Sequence, residues 1–265
     1  MDVALRSRNE GAVAGDASAV VSEAEWRARK DLAAAYRLCE TYGMTDLMAT
    51  HLSARVPDAP DQFLITTHGL MFGEVTASSL LKVDLDGNIL LKPDPTAGLQ
   101  AAAFVIHSGV YQARPDAMAV IHTHSVPAMA VASLECGLLP LTQTAIRFMT
   151  RIAYHRFGGP ERDPDERAAL ARDLGGHSVM LLRNHGILAV GNTMGEAFNL
   201  AYKLDRACAA QIAAMSCGVP LHLVDEQVVD EAAEMYDYKY LKHHLELEWK
   251  AHLRKLDRTD AGYSK

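Results

Sequence analysis

Two histidines separated by a single residue end an apolar stretch near the middle of the chain. Residues 119–125 read AVIHTHS, and alternate residues of a β-strand point to the same face. His122 and His124 are therefore predicted to aim two imidazoles at one point from the end of a strand. A second apolar stretch, residues 180–182, leads to a third histidine, His185. Three neutral imidazoles are typical of a catalytic metal site that keeps one position open.

A His-x-His pair alone is weak evidence for a metal, because histidines near strands more often serve as structural side chains. Here the pair ends an apolar run that follows Arg114-Pro115-Asp116, and His185 ends a comparable run about sixty residues later. We therefore expect one divalent ion per subunit, bound by His122, His124 and His185. Zinc is the first expectation, and iron and manganese stay open because ligand type alone does not identify a metal.

The composition is sufficient for one sizeable hydrophobic core. The chain has 265 residues, of which 49% are hydrophobic, and a formal net charge of −7; this length favours a single domain. No basic tract indicates a nucleic-acid partner, and no apolar run approaches the length of a membrane span. The four cysteines lack a Cys-x-x-Cys pair, which favours free thiols in the cytoplasm. Residues 1–21 lack the apolar segment of a signal peptide and are predicted to form a flexible tail.

The elements that must position the histidines follow from capping, turn and apolar patterns. About six strands interspersed with helices predict an α/β class. The predicted elements are a helix from about Glu23 to Gly43 after a capping box at Ser22, strands at 50–56 and 63–66, a hairpin around Asp86-Gly87, a helix over roughly 98–113, the strand that ends at His124, a mostly irregular stretch over 137–164, a helix capped at Asp163, two strands within 178–191, and a long helix after Thr193.

Three motifs give the chain a family resemblance. Tyr111-Gln112-Ala113-Arg114-Pro115-Asp116-Ala117, Ile121-His122-Thr123-His124 and Arg183-Asn184-His185-Gly186 resemble the class II aldolase/adducin family. The resemblance is closest to its bacterial adducin-like branch, through residues 103–108 and 136–140. It implies one domain over residues 22–220, with α/β/α layers around a mixed, largely antiparallel central sheet. It also implies a small-molecule substrate and a four-fold symmetric homotetramer with active sites at subunit interfaces.

Residues 221–265 are predicted to form a helical extension of that domain. The apolar residues of its second half recur at spacings of three and four, which is typical of an amphipathic helix. They are Tyr238, Leu241, Leu245, Trp249, Leu253 and Leu256. The apolar face is expected to pack either on its own core or on a neighbouring subunit.

The resemblance is incomplete at the positions that handle phosphate. The family's sugar-phosphate aldolases bind phosphate through an Asn after a Gly, a Thr-Gly turn and a Ser-Ser pair, and transfer protons through the Glu after that pair. These positions fall on His51, His68, residues 101–102 and Ala103. Residues 101–103 are all alanine, and alanine offers neither a hydroxyl nor a carboxylate. The resemblance therefore implies the metal triad but argues against a phosphorylated sugar.

Two residues are candidates for the missing catalytic group. His107 lies one helical turn after Ala103, so both share a helix face. It is a candidate acid/base, and a structural hydrogen-bonding role is its leading alternative, because the family often has a histidine there. Tyr154 is the second candidate, since the adducin-like branch carries a similar residue at its position.

Four residues are candidates for substrate binding. His51 and His68 fall where phosphate would bind and could instead hold a carboxylate or a phenolate, although His68 equally fits an exposed turn. Gln143 and Arg147 also have counterparts in the adducin-like branch. An arginine near a metal suits a substrate carboxylate.

Three functions follow from this set of residues. The first is a metal-dependent carbon–carbon lyase, by retro-aldol cleavage or decarboxylation, on a non-phosphorylated hydroxy or keto acid, aromatic or not. The second is a non-haem Fe(II) oxygenase on an aromatic hydroxy acid, because some relatives are similar to such enzymes. The third is a non-catalytic adducin-like module. The complete histidine triad places the third function last.

Overall fold

The computed structural model describes residues 13–14, 17–159 and 164–265. Most of the predicted tail at residues 1–21 and the predicted helix cap at Asp163 lie outside these residues. Within the tail segment, Val13–Ala14 form a two-residue strand and Ala17–Ala19 form a turn of 3-10 helix.

Nine strands of the described chain pair into one sheet. In chain order they are β1 (Val13–Ala14), β2 (His51–Val56), β3 (Ala59–Thr66), β4 (Leu80–Asp84), β5 (Ile89–Lys92), β6 (Ala119–Thr123), β7 (Ile152–His155), β8 (Val179–Leu182) and β9 (Gly186–Gly191). Their order across the sheet is β1-β5-β4-β3-β2-β6-β9-β8-β7. The outermost pairs, β1 with β5 and β7 with β8, are parallel, and the six others are antiparallel. The predicted mixed, largely antiparallel sheet is confirmed.

Helices cover both faces of this sheet, so the α/β/α layering is also confirmed. They are α1 (Glu23–Thr41), α2 (Ala101–Ala113), α3 (Val126–Ala132), α4 (Gln143–Ile146), α5 (Pro164–Leu174), α6 (Met194–Met215), α7 (Glu226–Met235) and α8 (Tyr238–Thr259). On one face, α1, α3, α6 and α8 pack in a cluster that includes Leu32, Val131, Leu204 and Leu256. On the other face, α2 and α5 pack in a cluster that includes Ile106 and Leu170.

Strand alternation decides which face carries the polar residues. In β6, Ile121 belongs to the cluster under α1 and α6, whereas Val120 belongs to the cluster under α2. His122 therefore lies on the α2 face, because alternate residues share a face. In β2, Leu52 packs under α1 and α6, which puts His51 on the α2 face as well. The two strands pair with His51 opposite His122.

The ends of β6 and β9 bring the more distant histidine to the pair. These strands are antiparallel neighbours with Thr123 opposite Ile187, so the end of β6 meets the start of β9. His124 and His185, which flank these strand ends, consequently fall on the same side of the sheet edge. Gly186 permits this approach, because a Cβ there would collide with the Thr123 carbonyl oxygen and reach 3.0 Å from the His124 ring.

Strand β7 lies in the stretch that was expected to be mostly irregular. Its four residues pair in parallel with β8, and so short an edge strand shows too few alternations for a sequence pattern. Side-chain contacts hold it in place: the His155 ring nitrogens lie 2.7 Å from Glu166 Oε1 and 2.7 Å from Asp173 Oδ2. These contacts tie β7 to α5.

The C-terminal helix α8 packs on its own chain. Leu245 and Leu256 are buried, and the Trp249 indole N–H donates to Asp31 Oδ1 at 3.0 Å. Trp249 also lies directly over Gly195, where an added Cβ would come within 2.8 Å of its side chain. These contacts form the intrachain packing expected for this helix. Among the described residues, no helix is long and apolar enough to cross a bilayer.

Substitutions of Trp249 test how much this docking contributes to stability. Trp249→Phe keeps a ring but leaves the largely buried Asp31 without its donor, which should lower the free energy of unfolding by roughly 1–3 kcal/mol. Trp249→Ala should cost more, up to roughly 3–5 kcal/mol. Leu247→Ala is the control, since Leu247 is exposed on the same helix and should change stability by less than about 0.5 kcal/mol. Urea unfolding measures all three; a Phe variant as stable as the parent would contradict the assignment.

Candidate metal centre

His122, His124 and His185 converge at the edge of the sheet. One ring nitrogen from each lies within 4.8 Å of the others. The ring centroids form a nearly regular triangle, with separations of 4.7, 4.8 and 4.6 Å. The three residues singled out by sequence spacing are therefore brought together.

Two of the rings are oriented by hydrogen bonds through Nδ1. His122 donates from Nδ1 to the Ile187 carbonyl at 2.9 Å, and His124 donates from Nδ1 to Asp46 Oδ2 at 3.2 Å. A carbonyl and a carboxylate can only accept, so in the neutral form of each ring the proton lies on Nδ1. In both rings Nε2 consequently keeps its lone pair.

Those two Nε2 atoms lie only 2.9 Å apart. Two imidazole lone pairs at this distance repel each other unless a cation lies between them. Ligands on a tetrahedral zinc with bonds of about 2.05 Å would be about 3.3 Å apart, close to the separation found here. The donor set therefore fits a divalent metal held by three imidazoles.

Burial keeps the strand histidine of this site neutral. His122 is 1% exposed, and desolvation, followed by the neighbouring histidines, lowers its pKa well below the ordinary value. A neutral imidazole is the form that binds a metal, because protonation and metal binding compete for the same lone pair. His122 is thus in its metal-binding form at neutral pH.

A buried series of hydrogen-bonded polar side chains begins beside the triad. The His51 ring centroid lies 4.9 Å from that of His122, and His51 Nδ1 lies 2.8 Å from His107 Nε2. His107 Nδ1 lies 2.5 Å from Ser53 Oγ, which lies 2.9 Å from the Tyr111 hydroxyl. Four polar groups are thus linked one after another on the α2 face of the sheet.

The order of these four linked side chains determines which of the two additional histidines, His51 or His107, lies next to the triad. His107, the candidate acid/base, is completely buried and contacts His51. His51 is the member that lies against the triad. Burial lowers the pKa of His107 to about 3 and that of His51 well below its usual value. Both are therefore neutral at neutral pH. Ala103, at the position where the resemblance leads us to expect the family's acid, is buried in apolar surroundings.

Tyr154 and His68 are placed elsewhere. The Tyr154 hydroxyl accepts from the Leu138 amide at 3.1 Å, and its ring lies under the Arg183 guanidinium at 4.5 Å. These are structural contacts on the α1 and α6 face. His68 is exposed in the turn after β3, and it does not belong to the histidine cluster.

Gln143 and Arg147 also lie away from the triad. Arg147 lines a cavity of about 300 Å³ together with Ser178, just before β8, and Asn192, just after β9. Gln143 lines a second cavity, of about 250 Å³, with Arg147. The triad lies at the opposite end of β9, and the ends of a six-residue strand are roughly 17 Å apart. Within one chain, neither residue reaches the triad.

Sequence reasoning missed two residues at this site. Asp46, the partner of His124, is in a turn and carries no motif. Phe157 lies beside the triad with its ring centroid 6.0 Å from that of His185, and it is 47% exposed. A lone carboxylate and a lone aromatic residue outside a periodic element carry no recognisable signal in a single sequence.

The fold agrees with comparisons to known proteins. Residues 30–212 match the family model described as the class II aldolase and adducin N-terminal domain. A class 2 aldolase-like protein of Caulobacter vibrioides is 43% identical over 92% of this chain and 94% of its own length.

Two solved structures are also similar. An aldolase II superfamily protein from Pseudomonas syringae has a TM-score of 0.87 and 42% identity, covering 95% of this chain and 100% of the other. The L-fuculose 1-phosphate aldolase of Glaciozyma antarctica has a TM-score of 0.80 and 25% identity, covering 92% and 93%. The chain belongs to the class II aldolase and adducin family.

Proposed function

We propose that this chain is a metal-dependent carbon–carbon lyase that acts on a non-phosphorylated hydroxy or keto acid by retro-aldol cleavage or decarboxylation. The observation that carries the proposal is the convergence of three imidazoles, with the Nε2 atoms of His122 and His124 2.9 Å apart and His185 completing the triangle. A purely structural role would not require three imidazoles to converge in this way. This argues against a non-catalytic module.

The proposed ligands are His122, His124 and His185, and the proposed ion is zinc. Three imidazoles with an open position suit catalytic zinc; iron or manganese would be revealed by elemental analysis. When bound, the ion would supply a Lewis acid for a carbonyl or hydroxyl oxygen. Iron together with oxygen consumption would favour the oxygenase, for which the exposed ring of Phe157 offers an aromatic contact.

His51 is the proposed replacement for the acid that Ala103 lacks. Its Nδ1 is engaged by His107, which leaves Nε2 as the atom that could exchange a proton with a substrate. His107 holds the ring orientation of His51 and is itself held by Ser53. His107 thus contributes through His51 rather than by direct contact. This assigns the two histidines different roles from those expected from sequence spacing.

The substrate is proposed to carry a carboxylate rather than a phosphate. Ala101 and Ala102 provide no hydroxyls, and His68 lies in an exposed turn. Gln143 and Arg147 could contact a substrate only from a neighbouring subunit, since they do not reach the triad of their own chain. Their proposed substrate-binding role therefore depends on assembly.

A homotetramer with interfaces near the triad is the proposed assembly. Three exposed apolar side chains lie near residues of the site: Met48 and Val126 follow Asp46 and His124 by two positions, and Phe157 lies beside His185. Contiguous exposed apolar surface is typical of interaction sites. All four cysteines are free, which supports a reducing compartment such as the cytoplasm.

Elemental analysis of protein purified without added metal tests the central proposal. We expect about one divalent ion per chain, and replacing any one of His122, His124 and His185 by Ala should remove most of it. His222→Ala is the control, because His222 is exposed outside the cluster. Full occupancy in the triple variant would contradict the ligand assignment. A parent protein that remains metal-free after incubation with zinc would contradict the function.

An aldolase assay tests the choice of substrate. Each charge-assisted hydrogen bond lost with the phosphate-binding hydroxyls is worth roughly 1.5–3 kcal/mol. The loss of two or three should weaken phosphate binding by about a thousandfold or more. We expect only trace cleavage of fuculose, rhamnulose and ribulose phosphates at neutral pH. Rapid turnover of any of them would mean that another group performs the work of the missing glutamate.

The molar mass in solution tests the proposed assembly. A tetramer should have a mass of roughly 116 kDa, four times the 28.9 kDa of one chain. Light scattering after size exclusion, at micromolar concentration, measures it. Val126→Lys should shift the mass towards smaller species, because it replaces one of these exposed apolar side chains with a charge. A strictly monomeric parent would disprove the tetramer.

A further inference from the structure

The orientation of His124 depends on a side chain that belongs to no recognised motif. Its Nδ1 donates to Asp46 Oδ2 at 3.2 Å. His122 obtains the equivalent support from a backbone carbonyl, that of Ile187. Of these two supports only the one on His124 comes from a side chain, so it can be removed by substitution.

The turn that carries Asp46 has an unusual backbone. The Ala49 amide donates to the Asp46 carbonyl at 2.8 Å, which closes a tight turn over residues 46–49. Within it, Leu47 has a φ of 46°, a left-handed conformation that a bulky side chain adopts at a cost. Packing does not explain this conformation, since the Leu47 side chain is 70% exposed.

A second non-glycine residue with a left-handed backbone conformation lies at the same site. Among the described residues, Leu47 and Asn184 are the non-glycine positions with positive φ. Asn184 directly precedes His185, and Leu47 directly follows Asp46. The backbone is thus strained on both sides of one cluster of histidines. This indicates that the strain serves to maintain the geometry of that cluster.

We propose that Asp46 is a positioning residue for His124, and that the turn at Leu47 exists to aim its carboxylate at that ring. The proposal rests on the metal role proposed for the triad. A carboxylate on Nδ1 fixes the proton there, orients the ring and makes Nε2 a better ligand. Asp46 has no expected contact with substrate; it acts through His124.

Substitution of Asp46 tests the first half of the proposal. Loss of such a partner typically weakens metal binding 10–100-fold. We expect Asp46→Ala to weaken zinc binding about tenfold, given that Asp46 is half-exposed. Asp46→Asn, which retains an oxygen acceptor, should have a smaller effect. Asp61→Ala is the control for charge, because Asp61 is exposed at the start of β3. Competition with a chromophoric chelator measures the dissociation constants.

A second readout does not depend on bound metal. In the metal-free parent, long-range ¹H–¹⁵N spectra should show the His124 proton on Nδ1. In Asp46→Ala it should move largely to Nε2, the form that cannot bind a metal without losing that proton. A general loss of stability would not produce this change of tautomer. An unchanged tautomer would overturn the proposal.

Two substitutions of Leu47 test the aiming role of the turn. Leu47→Gly and Leu47→Pro both remove the side chain, but glycine adopts positive φ readily and proline fixes φ near −65°. Leu47→Gly should retain zinc affinity within about twofold. Leu47→Pro should weaken it about as much as Asp46→Ala, although the carboxylate is still present. Circular dichroism and the molar mass verify that both variants fold and assemble.

The outcomes separate this proposal from the one on which it rests. A parent protein that binds no zinc refutes the metal role itself. A parent that binds zinc, with Asp46→Ala binding equally well, refutes only the role of Asp46. Equal zinc affinity in the Gly and Pro variants of Leu47 refutes the aiming role of the turn.

Discussion

The antiparallel register between β6 and β9 is the constraint on which the site depends. It places the end of one strand beside the start of the other, so that a His-x-His pair and a histidine more than sixty residues away share one edge of the sheet. The same register brings the Ile187 carbonyl to His122 Nδ1 at 2.9 Å and thereby determines which nitrogen faces the cluster. A slip by one residue would turn His122 to the opposite face of the sheet. The position of His122 is therefore fixed by the pairing of the central strands.

The parts of the molecule that could be predicted from sequence are those with periodic or capped patterns. Alternation in residues 119–125 identified a strand that presents two histidines to one face, and the capping boxes at Ser22 and Thr193 marked the starts of α1 and α6. At both caps the hydroxyl accepts from a backbone amide three residues later. The family resemblance supplied the layered sheet. These features are local or recur in many sequences, so a single sequence is sufficient to recognise them.

The parts that were missed depend on contacts between distant segments. The sequence places Arg147 and His107 as neighbours of a presumed site, but only the fold shows that Arg147 lies at the opposite end of the sheet. Likewise only the fold shows that His107 is separated from the triad by His51. Strand β7 is four residues long and is stabilised by parallel pairing with β8 and by the contacts of His155. None of these relations leaves a pattern within a short window of residues.

The buried chain from His51 to Tyr111 has a consequence for how such a sequence can change over time. Each member satisfies its neighbour in surroundings that exclude water, so a single replacement leaves a partner with an unmet hydrogen bond, at a cost of roughly 1–3 kcal/mol. Because the four members are linked in series, exchanging two adjoining members for apolar residues still leaves the next member without its partner. Replacing both His107 and Ser53, 2.5 Å apart, would remove the hydrogen-bond partners of His51 and Tyr111. Stepwise mutation of these linked polar residues to apolar ones therefore passes through less stable proteins. This favours retention of the whole set of contacts once it has formed.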